Sequence, residues 1–174
     1  MPANMGLVNL TRVYANSADY PCPLGTVHRK NGRKYAFLYN FGAASSVVGS
    51  AAMIAATFTY GHVSMTPATI ADITDGTTIR PILGGIALAV VATTEAGWFW
   101  FDGYGTHTIV TDGNVAAFDL LTATDGAIIL TREVAAATAH RSPMGIAWAA
   151  DSGTSLTSAH LKGAGIFPWG LGDA

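Results

Sequence analysis

The chain carries little charge. Only 11% of its 174 residues are Asp, Glu, Lys or Arg, while half are hydrophobic; soluble domains usually carry about 25% charge. A surface so thinly defended is a solubility liability in a free monomer. Burial of that surface against partners would resolve it, and so would a well-closed barrel with a Ser/Thr-rich skin. Cysteine is nearly missing too. Cys22 stands alone, which excludes an internal disulfide and leaves it as a small core residue or a bystander. No apolar run approaches the ~20 residues needed to span a bilayer; the most apolar stretch, Ile82 to Thr93, is too short. Net charge is −2, so no global field points to nucleic acid. Met1 to Met5 lacks the basic-then-apolar pattern of a signal peptide.

Catalytic grammar is equally scarce. The five histidines (His28, His62, His107, His140, His160) never fall in an H-x-x-x-H or H-x-x-E spacing, and one cysteine cannot make a zinc ribbon. Glu95 and Glu133 are the only glutamates. Asp75, Asp102, Asp112 and Asp125 each precede glycine, which is turn chemistry: Asp bonds its own backbone and Gly supplies φ > 0. No carboxylate pair stands out for glycoside hydrolysis, and there is no G-x-S-x-G elbow or P-loop. Asp102-Gly103-Tyr104-Gly105 and Gly163-Ala164-Gly165 have G-x-G spacing without a third glycine, and are expected to be hairpin turns. The expectation is a protein with no catalytic residues, no metal and no cofactor.

What is present is β grammar. Thr26 to Phe41 predicts a hairpin around Asn31-Gly32, the favoured two-residue turn, with an aromatic-rich return strand from Lys34 to Phe41. Gly42 to Thr57 is ambiguous, and its serines and glycine favour a loop. Phe58 to Met65 alternates as a strand does. Thr78 to Val91 is a β-branched and aliphatic run broken by Gly84-Gly85. Glu95-Ala96-Gly97 turns the chain into Trp98-Phe99-Trp100-Phe101, a strand with aromatics on both faces, so both faces must be covered. Asp112-Gly113 and Asp125-Gly126 mark further turns, with Ala127 to Thr131 as another strand. Only Glu133 to Ala139 could be helical. Short strands with turns every 8–12 residues are the signature of a sandwich or barrel.

The sequence also echoes itself. Gly85-Ile86-Ala87-Leu88-Ala89 recurs as Gly145-Ile146-Ala147-Trp148-Ala149, an offset of 60 residues (85 to 145). At that offset Gly103 and Gly105 meet Gly163 and Gly165, and Trp98 to Phe101 meets Ser158 to Leu161. Two strand–turn–strand units therefore share one layout, too few for a solenoid.

Two segments are candidates for partner contact. His28 to Lys34 holds Arg29, Lys30, Arg33 and Lys34, four of the nine basic residues, in one hairpin. This is either an electrostatic contact with an acidic partner or a solvated tip whose like charges discourage edge pairing. The C-terminal segment is apolar where a free tail would be polar, and Ile166, Phe167 and Trp169 call for a groove on this chain or another. Residues 1–25 read as an irregular arm, since Pro21 and Pro23 resist helix and central strand. The expected layout is thus an arm (1–25), one β domain (26–165) and a tail (166–174).

The order and spacing of these elements resemble the capsid decoration (cement) proteins of tailed phages. The resemblance runs over residues 26–165: the Lys34-to-Tyr39 strand, the first Gly-Ile-Ala-Leu-Ala element, Gly97-Trp98-Phe99-Trp100-Phe101-Asp102-Gly103, Asp112 to Leu121, and the second Gly-Ile-Ala element at Gly145. Phe118 stands where such proteins often have Gly. The resemblance implies an all-β fold, a compact antiparallel barrel or sandwich of β-tulip type. It implies docking on the major capsid protein at the outer surface of the virion, often as a homotrimer, with no membrane and no direct nucleic-acid contact. Alternatives are a tail, baseplate or head-fibre component, and a carbohydrate-binding β module in which Trp98, Trp100 and Tyr104 would stack on sugar.

Overall fold

The computed structural model describes residues 8–54, 60–65, 72–75, 78–81, 83–123, 129–132 and 145–161. These residues form no α-helix. They contain fourteen strands: β1 (Val27–Lys30), β2 (Arg33–Asn40), β3 (Ala51–Ile54), β4 (His62–Ser64), β5 (Asp72–Asp75), β6 (Thr78–Pro81), β7 (Leu83–Ala87), β8 (Ala96–Gly105), β9 (Ile109–Val110), β10 (Leu120–Ala123), β11 (Leu130–Arg132), β12 (Gly145–Ala147), β13 (Ser155–Leu156) and β14 (Ala159–Leu161). The all-β expectation holds, and it resolves to a barrel. Strands β2, β4, β3, β7 and β8 are hydrogen-bonded in that order and β8 returns to β2, which closes a five-stranded ring. All of its pairings are antiparallel except β2 with β4.

Alternation divides this barrel's side chains into two sets. Ala36, Leu38, Ala52, Ile54, Val63, Ala87, Phe99 and Phe101 form one buried cluster, which fills the lumen. Gly84 shows why: a Cβ there would lie 2.5 Å from Val63 Cγ1, although β7 and β4 are separated by β3 and can meet only across the interior. A lumen this narrow takes small residues. The opposite set, including Tyr35, Phe37, Met53, Ile86, Trp98 and Trp100, faces outward and is buried all the same. Each such side chain is worth roughly 1.5–3 kcal/mol when removed from water.

Two things cover that outer aromatic face. One is the N-terminal arm, of which residues 8–25 lie on their own barrel. Tyr14 exchanges two backbone hydrogen bonds with Ala96, both 2.9 Å. Tyr14 and Tyr20 meet Phe37 edge-on at 5.5 and 5.3 Å, and Cys22 and Leu24 pack against the same cluster. A short 3-10 turn, Ser17–Asp19, is capped by the Asn16 side chain, which accepts from the Ala18 N–H.

The other cover is a second copy of the barrel's strand scheme. In the first half Ala51 pairs with Ile86, and Ile86 with Trp100; in the second Leu120 pairs with Ile146, and Ile146 with His160. Ile54↔Val63 is matched by Ala123↔Leu130, and the parallel Asn40↔Val63 pair by the parallel bridge Thr111↔Leu130. Even the turns correspond: Ser50 N–H donates to Val47 O while the Ser50 hydroxyl accepts from Val47 N–H, and Asp119 does both with Ala116. The single strand β8 of the first half is split into β13 and β14 in the second, and β13 pairs back to β9. Up to Leu161 the 60-residue echo is thus a structural duplication with matched register; Gly163 and Gly165 lie outside the described residues. Strand β8 belongs to both halves, and its Gly103–Gly105 end pairs with β14. The interior of the second half (Ile109, Leu121, Leu130, Leu156, Leu161) is continuous with the outer aromatic face of the first.

Three local expectations are corrected. Residues 51–54, expected in a loop, form β3 and are fully buried; their small side chains fit a strand packed on both faces. Asp102-Gly103 is not a turn, because β8 runs through it. Gly103 (φ 92) instead admits the Gly32 carbonyl, which would clash with a Cβ, and the register shifts opposite Lys34/Tyr35. Ala96 and Gly97, expected to turn, open β8; the turn precedes them at Thr94 (φ 65). The stretch 133–139 and the tail 166–174 lie outside the described residues.

Candidate docking surface

The basic hairpin folds as expected. Asn31 (φ 53) and Gly32 (φ 74) form the two-residue loop between β1 and β2. Its register places Arg29 opposite Lys34 and Lys30 opposite Arg33, two like-charge pairs that disfavour the hairpin. The strain is partly relieved from β8. Arg33 Nε donates to Tyr104 O at 2.7 Å, and Lys34 Nζ lies 3.9 Å from Asp102 Oδ2. Arg33 and Lys34 are therefore partly buried and tied to the barrel, while Arg29 and Lys30 are exposed at the tip. Behind them the His28 ring meets Trp98 at 5.9 Å, and burial, then the Lys30 charge, lowers its pKa.

Beside this hairpin, across Tyr104, runs an apolar stripe. Tyr104 pairs with His160, His160 with Ile146 and Ile146 with Leu120, so four strands place these side chains in one row. All four are exposed. Trp148 closes the end of the row, edge-on to Tyr104 at 5.9 Å and to Phe118 at 6.0 Å. Phe118 is 69% exposed and Trp148 49%. The sequence reading named Tyr104 and missed the other five. The available signal was the echo itself, where Trp148 replaces Leu88 on an outward position.

The other named residues fall differently. Trp98 and Trp100 are core, so they cannot stack on a ligand. Ile166, Phe167 and Trp169 lie outside the described residues. Cys22 is half-buried, and burial raises its thiol pKa despite a hydrogen bond from Thr26, which suits packing better than nucleophilic attack. Among the described residues no three His, Cys, Asp or Glu side chains gather as a metal site, and no helix is long and apolar enough to cross a membrane. The surface offers recognition: an aromatic and aliphatic row that includes His160, flanked by a cationic tip. No known protein family, curated protein or solved structure matches the chain.

Proposed function

We propose that this chain is a structural virion protein that decorates the outer surface of a capsid shell, docks on the assembled major capsid protein and stabilises the head. In this reading it acts as a homo-oligomer, with a trimer favoured by the resemblance to cement proteins, and performs no catalysis. The observation that supports it best is the pairing of a closed five-stranded barrel and its added strands with an exposed apolar stripe and an adjoining basic tip. Contiguous exposed apolar surface of this kind marks protein contacts, and Tyr, Trp and Arg are the residues that anchor them. The mechanism is mass action: a ligand that binds only the assembled shell stabilises that state, and repetition over the lattice multiplies weak contacts. Arg29 and Lys30 supply the part of the contact that salt weakens.

A second reading rests on one feature. Tyr104, Trp148 and Phe118 form an exposed aromatic group that could stack on sugar, as in a host-attachment module of a tail, baseplate or fibre. Labelling intact virions with an antibody to this chain separates the two. Label over the head supports decoration. Label confined to the tail sinks it in favour of attachment, and unlabelled particles remove the virion class.

A further inference from the structure

We propose that Asn31 is a self-modifying site: in the folded chain its side-chain amide is lost to attack by the Gly32 nitrogen, which places a carboxylate at the cationic tip of the β1–β2 hairpin. This goes beyond the decoration reading and does not depend on it.

The chemistry needs only water. The Gly32 N–H gives its proton to hydroxide, the nitrogen bonds to Asn31 Cγ, and the Cγ–Nδ2 bond breaks, so that ammonia leaves with a proton taken from water. Water then opens the resulting cyclic imide. Opening at Cγ leaves aspartate. Opening at the backbone carbonyl leaves isoaspartate, whose main chain runs through Cβ and Cγ. Nothing is oxidised or reduced. Glycine suits the step because it brings no side chain to crowd the attacking nitrogen, and a Cβ added at Gly32 would meet nothing within 4 Å.

The structure singles out Asn31 from its peers. Asn9 Oδ1 accepts from Thr11, Asn16 Oδ1 accepts from the Ala18 N–H, and Asn114 Nδ2 donates to Asp112 O. Asn40 is fully buried and bonded at both ends of its amide. Leu10, Ser17, Val115 and Phe41 follow these four and crowd the attack. Asn31 is exposed, precedes glycine, and its side chain makes no hydrogen bond among the described residues. The closed turn itself holds the reaction back: the positive φ and ψ of the left-handed region point the Gly32 nitrogen away from the Asn31 side chain, so attack waits for the tip to open. The like-charge pairs Arg29↔Lys34 and Lys30↔Arg33 make opening easier. The same cations favour the anionic nitrogen and the anionic adduct from which ammonia leaves. One carboxylate in place of one neutral amide takes the net charge from −2 to −3. Isoaspartate also adds a backbone methylene to the two-residue loop and disturbs the register of Lys30 with Arg33.

The test incubates the full, folded chain in heavy-oxygen water, in mildly alkaline and in mildly acidic buffer. Ion exchange and peptide mapping by mass spectrometry follow it with time, with Asn31→Asp as the reference for the product's charge. Asn31 is expected to convert before Asn9, Asn16, Asn40 and Asn114, to carry the heavy oxygen, and to convert faster in the alkaline buffer. Lys30→Glu turns a repulsive pair attractive and removes a cation, and should slow the conversion roughly 3-fold or more; Gly32→Ala, which crowds the ring being formed, should slow it roughly 10-fold. Circular dichroism checks that each variant keeps its β-sheet spectrum, and either variant alone keeps the test decisive if the other fails to fold. An Asn31 that stays intact while another asparagine converts overturns the proposal, as does an Asn31 that converts only in urea. Conversion at the wild-type rate in the folded variants overturns it as well.

Discussion

Phe118 occupies in the second half of the chain the left-handed backbone position that Gly49 occupies in the first. Gly49 has φ 89 and donates to Ala87 O at 2.8 Å; Phe118 has φ 69 and donates to Ala147 O at 2.8 Å. For a bulky residue that conformation costs about 1–2 kcal/mol. Phe118→Gly should therefore leave the melting temperature unchanged or raise it, once measured dilute enough that association adds nothing. Gly49→Ala should do the opposite, because its Cβ would sit 2.9 Å from Thr108 O as well as at a disfavoured φ. A clear fall in melting temperature for Phe118→Gly under dilute conditions would show that Phe118 packs on its own chain.

Trp98 and Trp100 are both core, yet their indole nitrogens differ. Trp100 Nε1 donates to Asp102 O at 2.9 Å, whereas Trp98 Nε1 is buried with no hydrogen-bond partner among the described residues. Trp100→Phe thus orphans a carbonyl acceptor, while Trp98→Phe removes an unsatisfied donor. Denaturant titrations should find Trp100→Phe costlier, by about 1 kcal/mol or more beyond the volume effect common to both. Equal losses would mean that packing alone decides.

Gly103→Ala should be among the most damaging small substitutions. The Gly32 carbonyl occupies the space of the added methyl, and φ 92 disfavours any side chain. Relief would require the β1–β2 hairpin to lift from β8, breaking the Arg33–Tyr104 bond. A loss of about 2–4 kcal/mol is expected in chemical denaturation. Gly32→Ala, where a Cβ meets nothing within 4 Å and only the φ of 74 is strained, should cost less.

Much of this architecture was legible locally. Asn31-Gly32 announced its hairpin, and the aromatics at both parities of residues 98–101 required cover on both faces, which the lumen and the arm with the second half supply. The echo at Gly145 was visible because register, not composition, is what duplicates. Strand β3 was hidden because Ala51, Ala52 and Met53 are chosen for fit between β4 and β7 rather than for strand propensity. Gly103 was misread because Asp-Gly has a local meaning as a turn, which a tertiary close approach overrides. The stripe was illegible for another reason: Leu120 and Ile146 look like core, and only the fold shows that nothing described lies over them.

His107 sits at the joint between the halves, so its protonation should register on both. Tyr35 Oη lies 3.2 Å from His107 Nε2, and the ring meets Trp100 edge-on. Burial first, and the Arg33 charge second, lower its pKa below the ordinary 6.5. His28 and His62 shift the same way, each mainly by burial. In the unfolded chain all three regain ordinary values, so below about pH 6.5 the unfolded state binds protons that the folded state refuses. Stability is then full above that pH, declines as pH falls, and levels off below the lowered folded values. Replacing His107 by Phe keeps a ring between Tyr35 and Trp100 and removes one titration. Urea midpoints followed from about pH 7.5 to pH 5 should fall less steeply in that variant than in wild type. A wild type that gains stability on acidification, or a variant with an unchanged slope, would place the proton elsewhere.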